Sequence, residues 1–309
     1  MLTSTSSPEL VVGAKPAVDP RLVASLAAVY VIWASTYLAI RILVKEQPPL
    51  LSAGIRFAVA GSVMMIYALR KGATLPSWRD WARVAPVGVL LFVGGNGFVA
   101  IASQSIVSGG TAVVCALMPL WVGVLGAFTG VRPTAREWLS LAVGFIGVLV
   151  LMGGPSLAGE PVHIFVLLLS PMLWAAGSLI SRRTKDVGGK HASLVGPAMQ
   201  MLTGGAALAI IALARGERMP TDASATSWLA LAYLIVFGSL VAFTAYAWLL
   251  RNARPVIATS YAYVNPILAV LIGAALFGEP LGWTTVVANA LIVGAVMLAL
   301  TRRQPSGAH

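Results

Sequence analysis

The first apolar stretch of the chain, residues 22–40, has the sequence LVASLAAVYVIWASTYLAI and contains no charged side chain. A bilayer core about 30 Å thick requires roughly 20 consecutive apolar residues in a helix, so this stretch predicts a transmembrane helix. The remaining sequence has the same character, since 58% of the 309 residues are hydrophobic and only 10% are charged. Soluble domains carry about a quarter charged residues. The composition therefore excludes a soluble enzyme, a secreted disulfide scaffold and a disordered protein.

Ten apolar stretches, separated by short polar or Pro- and Gly-rich breaks, predict an all-α integral membrane protein with ten transmembrane helices. The predicted spans are residues 22–44, 50–69, 84–103, 107–127, 138–153, 162–181, 193–214, 227–250, 256–277 and 282–300. Residues 1–21 are polar and lack the apolar core of a signal peptide. They are expected to form a disordered cytoplasmic tail, and residues 301–309 a second cytoplasmic tail.

The positively charged residues lie mainly on one side of the predicted membrane. With a cytoplasmic N-terminus, 16 of the 21 Lys and Arg residues fall in the tails or in cytoplasmic loops. The positive-inside rule favours this orientation, which places both termini in the cytoplasm of a bacterial-type inner membrane. The net charge of +11 is thereby explained without a nucleic-acid partner.

The chain divides into two halves of five spans, residues 22–153 and 162–300, that resemble each other. Four Pro and Gly residues of the first half recur at an offset of 147 in the second: Pro119, Gly126, Pro133 and Gly147 match Pro266, Gly273, Pro280 and Gly294. Because five is odd, the second half enters the bilayer from the opposite side, and the loop charges invert their bias accordingly. Such inverted-topology repeats are the architecture of secondary transporters, with a central site between the copies.

Several short motifs, in this order, resemble those of one family. They are Ile32–Tyr37 (IWASTY), Gly54–Phe57 (GIRF), Val264–Pro266 (VNP) and Gly278–Leu281 (GEPL). The chain resembles the ten-span, EamA-type members of the drug/metabolite transporter superfamily, and among these the aromatic amino acid exporters and related metabolite exporters are most similar in length and layout. The resemblance implies export of small organic solutes through a central cavity lined mainly by helices 1, 3, 4, 6, 8 and 9. The first half departs from the pattern at Arg132–Pro133, where the second half has Glu279–Pro280.

The candidate substrate-binding residues are aromatic or polar side chains that share a helical face or lie beside a helix break. Tyr30, Trp33 and Tyr37 share one face of the first helix. The amides of Asn96 and Asn265 are candidates because an amide in hydrocarbon needs a hydrogen-bonding partner. The candidates are Trp33, Tyr37, Asn96, Met118, Trp174, Ser178, Tyr246, Tyr263 and Asn265, with Phe243 beside Tyr246. Pro119 and Pro266 are expected to break helices 4 and 9 and to free backbone carbonyls for a ligand. The alternative for the Trp and Tyr residues is an interfacial role.

The charged residues within the spans indicate how a solute could be bound and whether transport could be coupled to protons. Arg56 lies within the second span, roughly 9 Å deep at 1.5 Å per residue. Its side chain either snorkels to the surface or is a charge at the outer mouth that meets helix carbonyls or a substrate carboxylate. All ten acidic residues are assigned to tails or loops, so no buried carboxylate is expected to relay protons, which favours exchange or facilitated diffusion. Glu279 is the nearest candidate relay, with a turn residue as its alternative.

Together these features predict a secondary transporter that exports small organic solutes, amino acids with aromatic or hydrophobic side chains included, by alternating access as a monomer or homodimer. An exporter of drugs or another metabolite is the alternative, ahead of a channel or a membrane-embedded enzyme. The histidines, His163, His191 and His309, lack catalytic or metal-binding spacing, so no enzyme activity, cofactor or metal is expected. Cys115 is the single cysteine and is expected to be a buried, unreactive thiol.

Overall fold

The computed structural model describes residues 19–106, 111, 114–130, 133–151, 160–184, 187–268 and 283–300. Every regular element in these ranges is helical. Six of the helices are long and apolar enough to cross a membrane, and Met118–Phe128 is a shorter apolar helix. The prediction of an all-α membrane protein is therefore confirmed. Residues 1–18, the tail at 301–309, the GEPL motif with Glu279, and Gly273, Pro280 and Arg132 lie outside the described residues. The prediction of a tail through residue 21 is wrong at its end, because Pro20 and Arg21 form the first turn of α1.

The helices are numbered here in chain order. They are α1 (Pro20–Leu43), α2 (Pro49–Arg70), α3 (Trp78–Ala102), α4 (Met118–Phe128), α5 (Ala135–Leu151), α6 (Pro161–Arg183), α7 (Ala192–Ala214), α8 (Ala225–Asn252), α9 (Pro255–Ala258, then 261–268) and α10 (Trp283–Leu300). Proline begins α1, α2, α6 and α9, where its fixed φ suits the first turn and its missing N–H costs no helical bond. Serine side chains cap the first turns of α3 and α8, which satisfies backbone donors that a helix start leaves unpaired.

Helices α3 and α8 each contain a π-helical segment, Val89–Gly97 and Leu234–Val241. Such segments are rare and concentrate at functional sites. In α3 the segment includes Gly94, Gly95 and Gly97. A Cβ on Gly95 would collide with the Trp174 ring of α6, and a Cβ on Gly94 would lie 2.6 Å from Leu173. The two π segments occupy the third and eighth helices, which are equivalent positions in the two predicted halves.

Helices α2 and α7 cross in close contact at glycines. A Cβ at Gly54 would lie 3.0 Å from the backbone nitrogen of Ala209, and a Cβ at Gly205 would lie 2.9 Å from that of Ala58. Further along α2, Gly61 faces Leu202, so residue numbers rise in one helix as they fall in the other. The pair is antiparallel, with small residues at the contact, as is usual between membrane helices.

Helices α5 and α10 form a second antiparallel pair. Ser140 Oγ donates to the carbonyl oxygen of Ala295 at 2.8 Å, and a Cβ at Gly147 would lie 2.7 Å from Cγ1 of Ile292. The chain therefore pairs its second helix with its seventh, and its fifth with its tenth.

Helix α9 differs from the single span predicted over residues 256–277. The helix is interrupted at Thr259 and Ser260, whose hydroxyls donate to the carbonyls of Pro255 and Ile257 at 2.9 and 2.7 Å. Side chains of this type compete with the backbone for helical acceptors. Pro266 lies seven residues after Thr259, within the helical residues 261–268.

Helix α4 likewise begins just after a turn at residues 116–117, so that Pro119 occupies its first turn. Proline is tolerated there because the N–H of a first-turn residue has no helical partner.

Candidate functional site

A central cavity lies among helices α1, α2, α3, α4, α6, α8 and α9. Seven of the residues singled out from the sequence line it: Trp33, Tyr37, Arg56, Asn96, Met118, Trp174 and Asn265. The helices that the family resemblance implied are all present in the wall, and α2 contributes in addition. Residues more than 200 positions apart in the sequence thus share one space.

Aromatic side chains from four helices form one wall of the cavity. The ring of Trp33 lies 5.7 Å from that of Trp174, 5.0 Å from Tyr246 and 4.7 Å from Tyr261. The Trp33 indole Nε1–H also donates to the carbonyl oxygen of Gly238, in the π segment of α8, at 3.1 Å. The edge-on contacts at 4.5–7 Å are the arrangement that aromatic pairs prefer. The wall is therefore largely apolar, and the indole N–H of Trp33 is already paired.

Tyr246 and Ser178 lie behind this wall and do not line the cavity. The Tyr246 hydroxyl accepts a hydrogen bond from Trp174 Nε1 at 3.2 Å and is 2.7 Å from Ser178 Oγ. Ser178 Oγ in turn lies 2.7 Å from the Trp174 carbonyl oxygen. Both residues are fully buried. They hold the Trp174 indole in its orientation, so their role is positioning.

Tyr263 lies away from the cavity, against α5. Its hydroxyl donates to the carbonyl oxygen of Leu141 at 3.1 Å, and its ring covers Gly144. Tyr261, two residues earlier, takes the position on the cavity wall. Positions two apart on a helix face nearly opposite directions, whereas positions four apart share a face. Tyr261 is four residues before Asn265, and that spacing was the sequence signal for it.

The two cavity amides differ in their surroundings. The Asn265 side chain, with its amide nitrogen oriented toward acceptors, donates to the carbonyl oxygens of Tyr30 and Tyr261 at 3.2 and 3.0 Å, and it also contacts the Tyr37 hydroxyl. Asn265 therefore joins α9 to α1. Asn96, in the π segment of α3, has no hydrogen-bonding partner among the described residues, so its amide is available to a solute.

Phe243, named beside Tyr246 from the sequence, also lines the cavity, and Phe57 and Phe92 extend the aromatic lining beyond the predicted residues. Phe92 lies 4.3 Å from Phe57 and 5.0 Å from Phe243 between ring centroids. No sequence signal separated these phenylalanines from those that face lipid, because both environments are apolar.

Arg56 points into the protein. Only 5% of the residue is exposed, and its Nε donates to Ser239 Oγ of α8 at 2.8 Å. Its guanidinium carbon lies 4.6 Å from the centroid of the Phe57 ring. This position is different from that of a snorkelling arginine, whose charge reaches the surface.

A buried ion pair joins the start of α5 to the start of α9. Glu137, which the sequence placed in a loop, lies in the first turn of α5 and is 4% exposed. Its two carboxylate oxygens each lie 2.7 Å from a guanidinium nitrogen of Arg254, and Thr134 donates to it as well. The assignment of every acidic residue to tails or loops is therefore wrong for Glu137, because capping and ion pairing satisfy a carboxylate at a helix start.

The described residues contain no cluster of three or more His, Cys, Asp or Glu side chains that could hold a metal. In this part of the chain the cavity wall has one charged group, Arg56, and otherwise aromatic and aliphatic side chains, a thioether, a thiol, amides and hydroxyls. Such a lining can bind and orient an amphipathic solute.

Comparison with known proteins gives the same result as the short motifs. The model of the EamA-like transporter family matches residues 22–153 and again residues 162–301. The uncharacterized inner membrane transporter YedA of Escherichia coli (strain K12) is 40% identical over 279 residues, 90% of each chain. Protein PecM of Dickeya dadantii is 25% identical, covering 86% of this chain and 88% of its own. One crystal structure, at 21% identity, superposes with a TM-score of 0.71 over 90% of this chain and 96% of the other. The chain belongs to the EamA-like transporter family.

Proposed function

We propose that this member of the EamA-like transporter family is an inner-membrane secondary transporter that exports small organic solutes, and specifically amino acids, those with aromatic or hydrophobic side chains included. The observation that carries the proposal is the central cavity, whose wall combines Trp33, Trp174 and Tyr261 with the amide of Asn96. Aromatic rings supply contact area for an apolar side chain, and the amide supplies hydrogen bonds for the polar end. The proposed location agrees with that of the relative YedA, which is described as an inner membrane transporter.

Alternating access between two inverted halves is part of the same proposal. It is supported by the double family match, by the antiparallel pairs α2–α7 and α5–α10, and by the π segments at equivalent places in α3 and α8. In an inverted repeat, the two halves exchange conformations about a central site. The cavity lies between the outer parts of the helices in the topology with cytoplasmic termini. The aromatic wall and the Glu137–Arg254 pair lie on its cytoplasmic side.

The energy source that fits the cavity is the solute gradient itself. None of the described lining residues is acidic, whereas proton-coupled carriers use a buried carboxylate as the relay. We therefore propose exchange or facilitated diffusion. Glu279, outside the described residues, is the alternative relay.

Solute counterflow in proteoliposomes tests the proposal. Vesicles loaded with an unlabelled amino acid are mixed with the labelled one, with and without a pH gradient. We expect saturable, accelerated uptake that does not need the gradient. Exchange of drugs or other metabolites but of no amino acid would favour the alternative substrate class, and ohmic conductance in a planar bilayer would indicate a channel.

Two tyrosines on α9 provide a matched pair of variants for the same assay. Tyr261→Ala removes a ring from the cavity wall, and we expect the KM for aromatic solutes to rise at least tenfold. Tyr263→Ala removes a buried ring of equal size that faces α5, and we expect an unchanged KM in the protein that folds. Equal effects of both substitutions on KM would contradict the placement of the binding site.

A further inference from the structure

The guanidinium of Arg56 is the charged group of the described cavity wall, and most of its hydrogen-bonding capacity is unused. A guanidinium has five N–H donors. The Nε–H is taken by Ser239 Oγ at 2.8 Å, while the two terminal amino groups have no acceptor among the described residues. No carboxylate in these ranges lies within 4.0 Å of Arg56, whose surroundings act on its charge through burial alone. Arg56 lines the cavity, and its Nη2 lies beside Gly238, another lining residue.

The surroundings of Arg56 hold it in this position. The hydroxyl of Ser239 accepts a hydrogen bond from Nε of Arg56, and the guanidinium carbon lies 4.6 Å from the centroid of the Phe57 ring. Gly238 lets the backbone of α8 approach, since a Cβ there would lie 2.9 Å from Nη2 of Arg56. The carbonyl oxygen of Gly238 is already occupied by Trp33 Nε1 at 3.1 Å, so it does not serve the arginine. The π segment of α8 thus positions the Arg56 guanidinium beside the aromatic wall and leaves its two terminal amino groups without an acceptor among the described residues.

A buried cation without an anion is costly, because its loss of hydration is not compensated. Charged residues inside membrane spans therefore mark functional sites, and the natural partner of a free guanidinium edge is a carboxylate, bound through two parallel N–H···O bonds. From Arg56 the rings of Phe57, Phe92 and Trp174 follow one another at centroid distances of 4.3 and 6.4 Å. A solute held at Arg56 by its anionic end would lay an apolar body along these rings.

We propose that Arg56 binds the carboxylate of the transported solute, so that the substrates are amphipathic carboxylates and a free amino group is not required. The proposal rests on the function proposed above and narrows its substrate class. It distinguishes between the two ends of an amino acid: the carboxylate has a charged partner in the cavity, and the ammonium group has none among the described lining residues.

Four solutes with the same aromatic body separate the two ends: phenylalanine and N-acetylphenylalanine, which carry a carboxylate, and phenylalanine amide and N-acetylphenylalanine amide, which do not. Each is tested by counterflow in proteoliposomes of the full chain. Each is also tested for protection of Cys115 against a small neutral thiol reagent, measured by intact mass. Cys115 is the only cysteine of the chain and lines the cavity. We expect both carboxylates to exchange and to protect, and both amides to do so at least tenfold more weakly.

Variants assign this preference to Arg56. We expect Arg56→Gln to abolish the difference between acids and amides and Arg56→Lys to retain part of it. Arg218→Gln, at an exposed arginine in the loop between α7 and α8, serves as the control and should keep the full preference. If Arg56→Gln does not fold, as judged by size-exclusion chromatography, the inference is tested by the preference of the wild type for acids over amides and by the reduction of that preference in Arg56→Lys.

The outcomes separate this inference from the function on which it rests. Equal exchange of acids and amides by the wild type, or an undiminished acid preference in Arg56→Gln, overturns the carboxylate site and leaves the transport function standing. Absence of both exchange and Cys115 protection for all four solutes overturns the proposed function, and the carboxylate site with it.

Discussion

Replacing Tyr246 by Phe removes one buried hydroxyl and leaves every ring of the aromatic wall in place. The lost oxygen is the acceptor for Trp174 Nε1–H at 3.2 Å, and that buried donor would keep only its looser contact with the Tyr261 hydroxyl. A buried unsatisfied donor costs about 1–3 kcal/mol. Ser178, the other partner of the hydroxyl, keeps its bond to the Trp174 carbonyl and adds little to this cost. We expect Tyr246→Phe to be destabilised by about 1–3 kcal/mol.

The functional consequence of Tyr246→Phe follows from the role of Trp174 in the cavity wall. An indole that is no longer held at its nitrogen samples other orientations, so the KM for aromatic solutes should rise while the maximal exchange rate changes less. Unfolding in detergent, followed by tryptophan fluorescence, measures the stability, and counterflow measures the KM. Ser178→Ala is the matched control, because it removes the other hydrogen bond to Tyr246 and leaves the bond from Trp174 intact. A Tyr246→Phe protein with wild-type stability and KM would refute the claim that this hydroxyl positions Trp174.

Three further predictions concern helix contacts. Gly205→Val should destabilise the protein by about 1–3 kcal/mol in detergent unfolding, as overpacking does, because its Cβ would lie 2.9 Å from an α2 backbone nitrogen; Gly294→Val, with open space around it, should not. Glu137→Gln breaks the buried pair with Arg254, and because 37% of the arginine side chain that remains is exposed to solvent we expect a loss of about 1–2 kcal/mol, below the value for a fully buried pair; a larger loss in Arg254→Gln, which leaves the buried carboxylate unpaired, would agree with this exposure. Hydrogen bonds from Ser224, at the start of α8, lower the pKa of Glu46 below its usual value of 4.5. The stability that these bonds contribute is therefore present above the pKa of Glu46 in the unfolded chain and is lost as the pH falls through its pKa in the folded protein. Glu46→Gln should remove this acid-dependent loss from a profile of stability measured between about pH 5 and 3.

The membrane class and most helix positions could be predicted from the sequence because the bilayer imposes a simple local rule. A span needs a certain length of apolar residues, so the starts of α1, α2 and α7 fall within two residues of the prediction. Helix α3 begins earlier than predicted, at Trp78, because a Ser77–Asp80 capping box starts the helix in polar sequence before the span. The interruption of α9 at Thr259 was missed since single hydroxyl residues rarely break a helix.

The cavity lining was harder to predict, for a reason specific to membranes. In a soluble protein, the polar face of a helix identifies its buried face by exclusion. In lipid both faces are apolar, so periodicity did not distinguish Phe92 on the cavity wall from phenylalanines that face the bilayer. Polar side chains can be assigned to the protein interior, because hydrocarbon provides them with no hydrogen-bonding partner. Asn96, Asn265 and Arg56 accordingly all line the cavity, whereas of the tyrosines Tyr263 faces α5.

The π segment of α8 holds two side chains at the cavity, although nothing in its own sequence, LIVFGSLV, indicated a site. The segment places Gly238 and Ser239 side by side at the cavity: the first accepts from Trp33 and the second from Arg56. Both donors come from the first half of the chain, so one short irregular segment of the second half fixes the aromatic wall and the cation together. A movement of α8 relative to α1 and α2 would release both at once. Because the third and eighth helices are equivalent in the predicted repeat, the glycine-rich segment of α3, Val89–Gly97, was the signal by which the α8 segment could have been found.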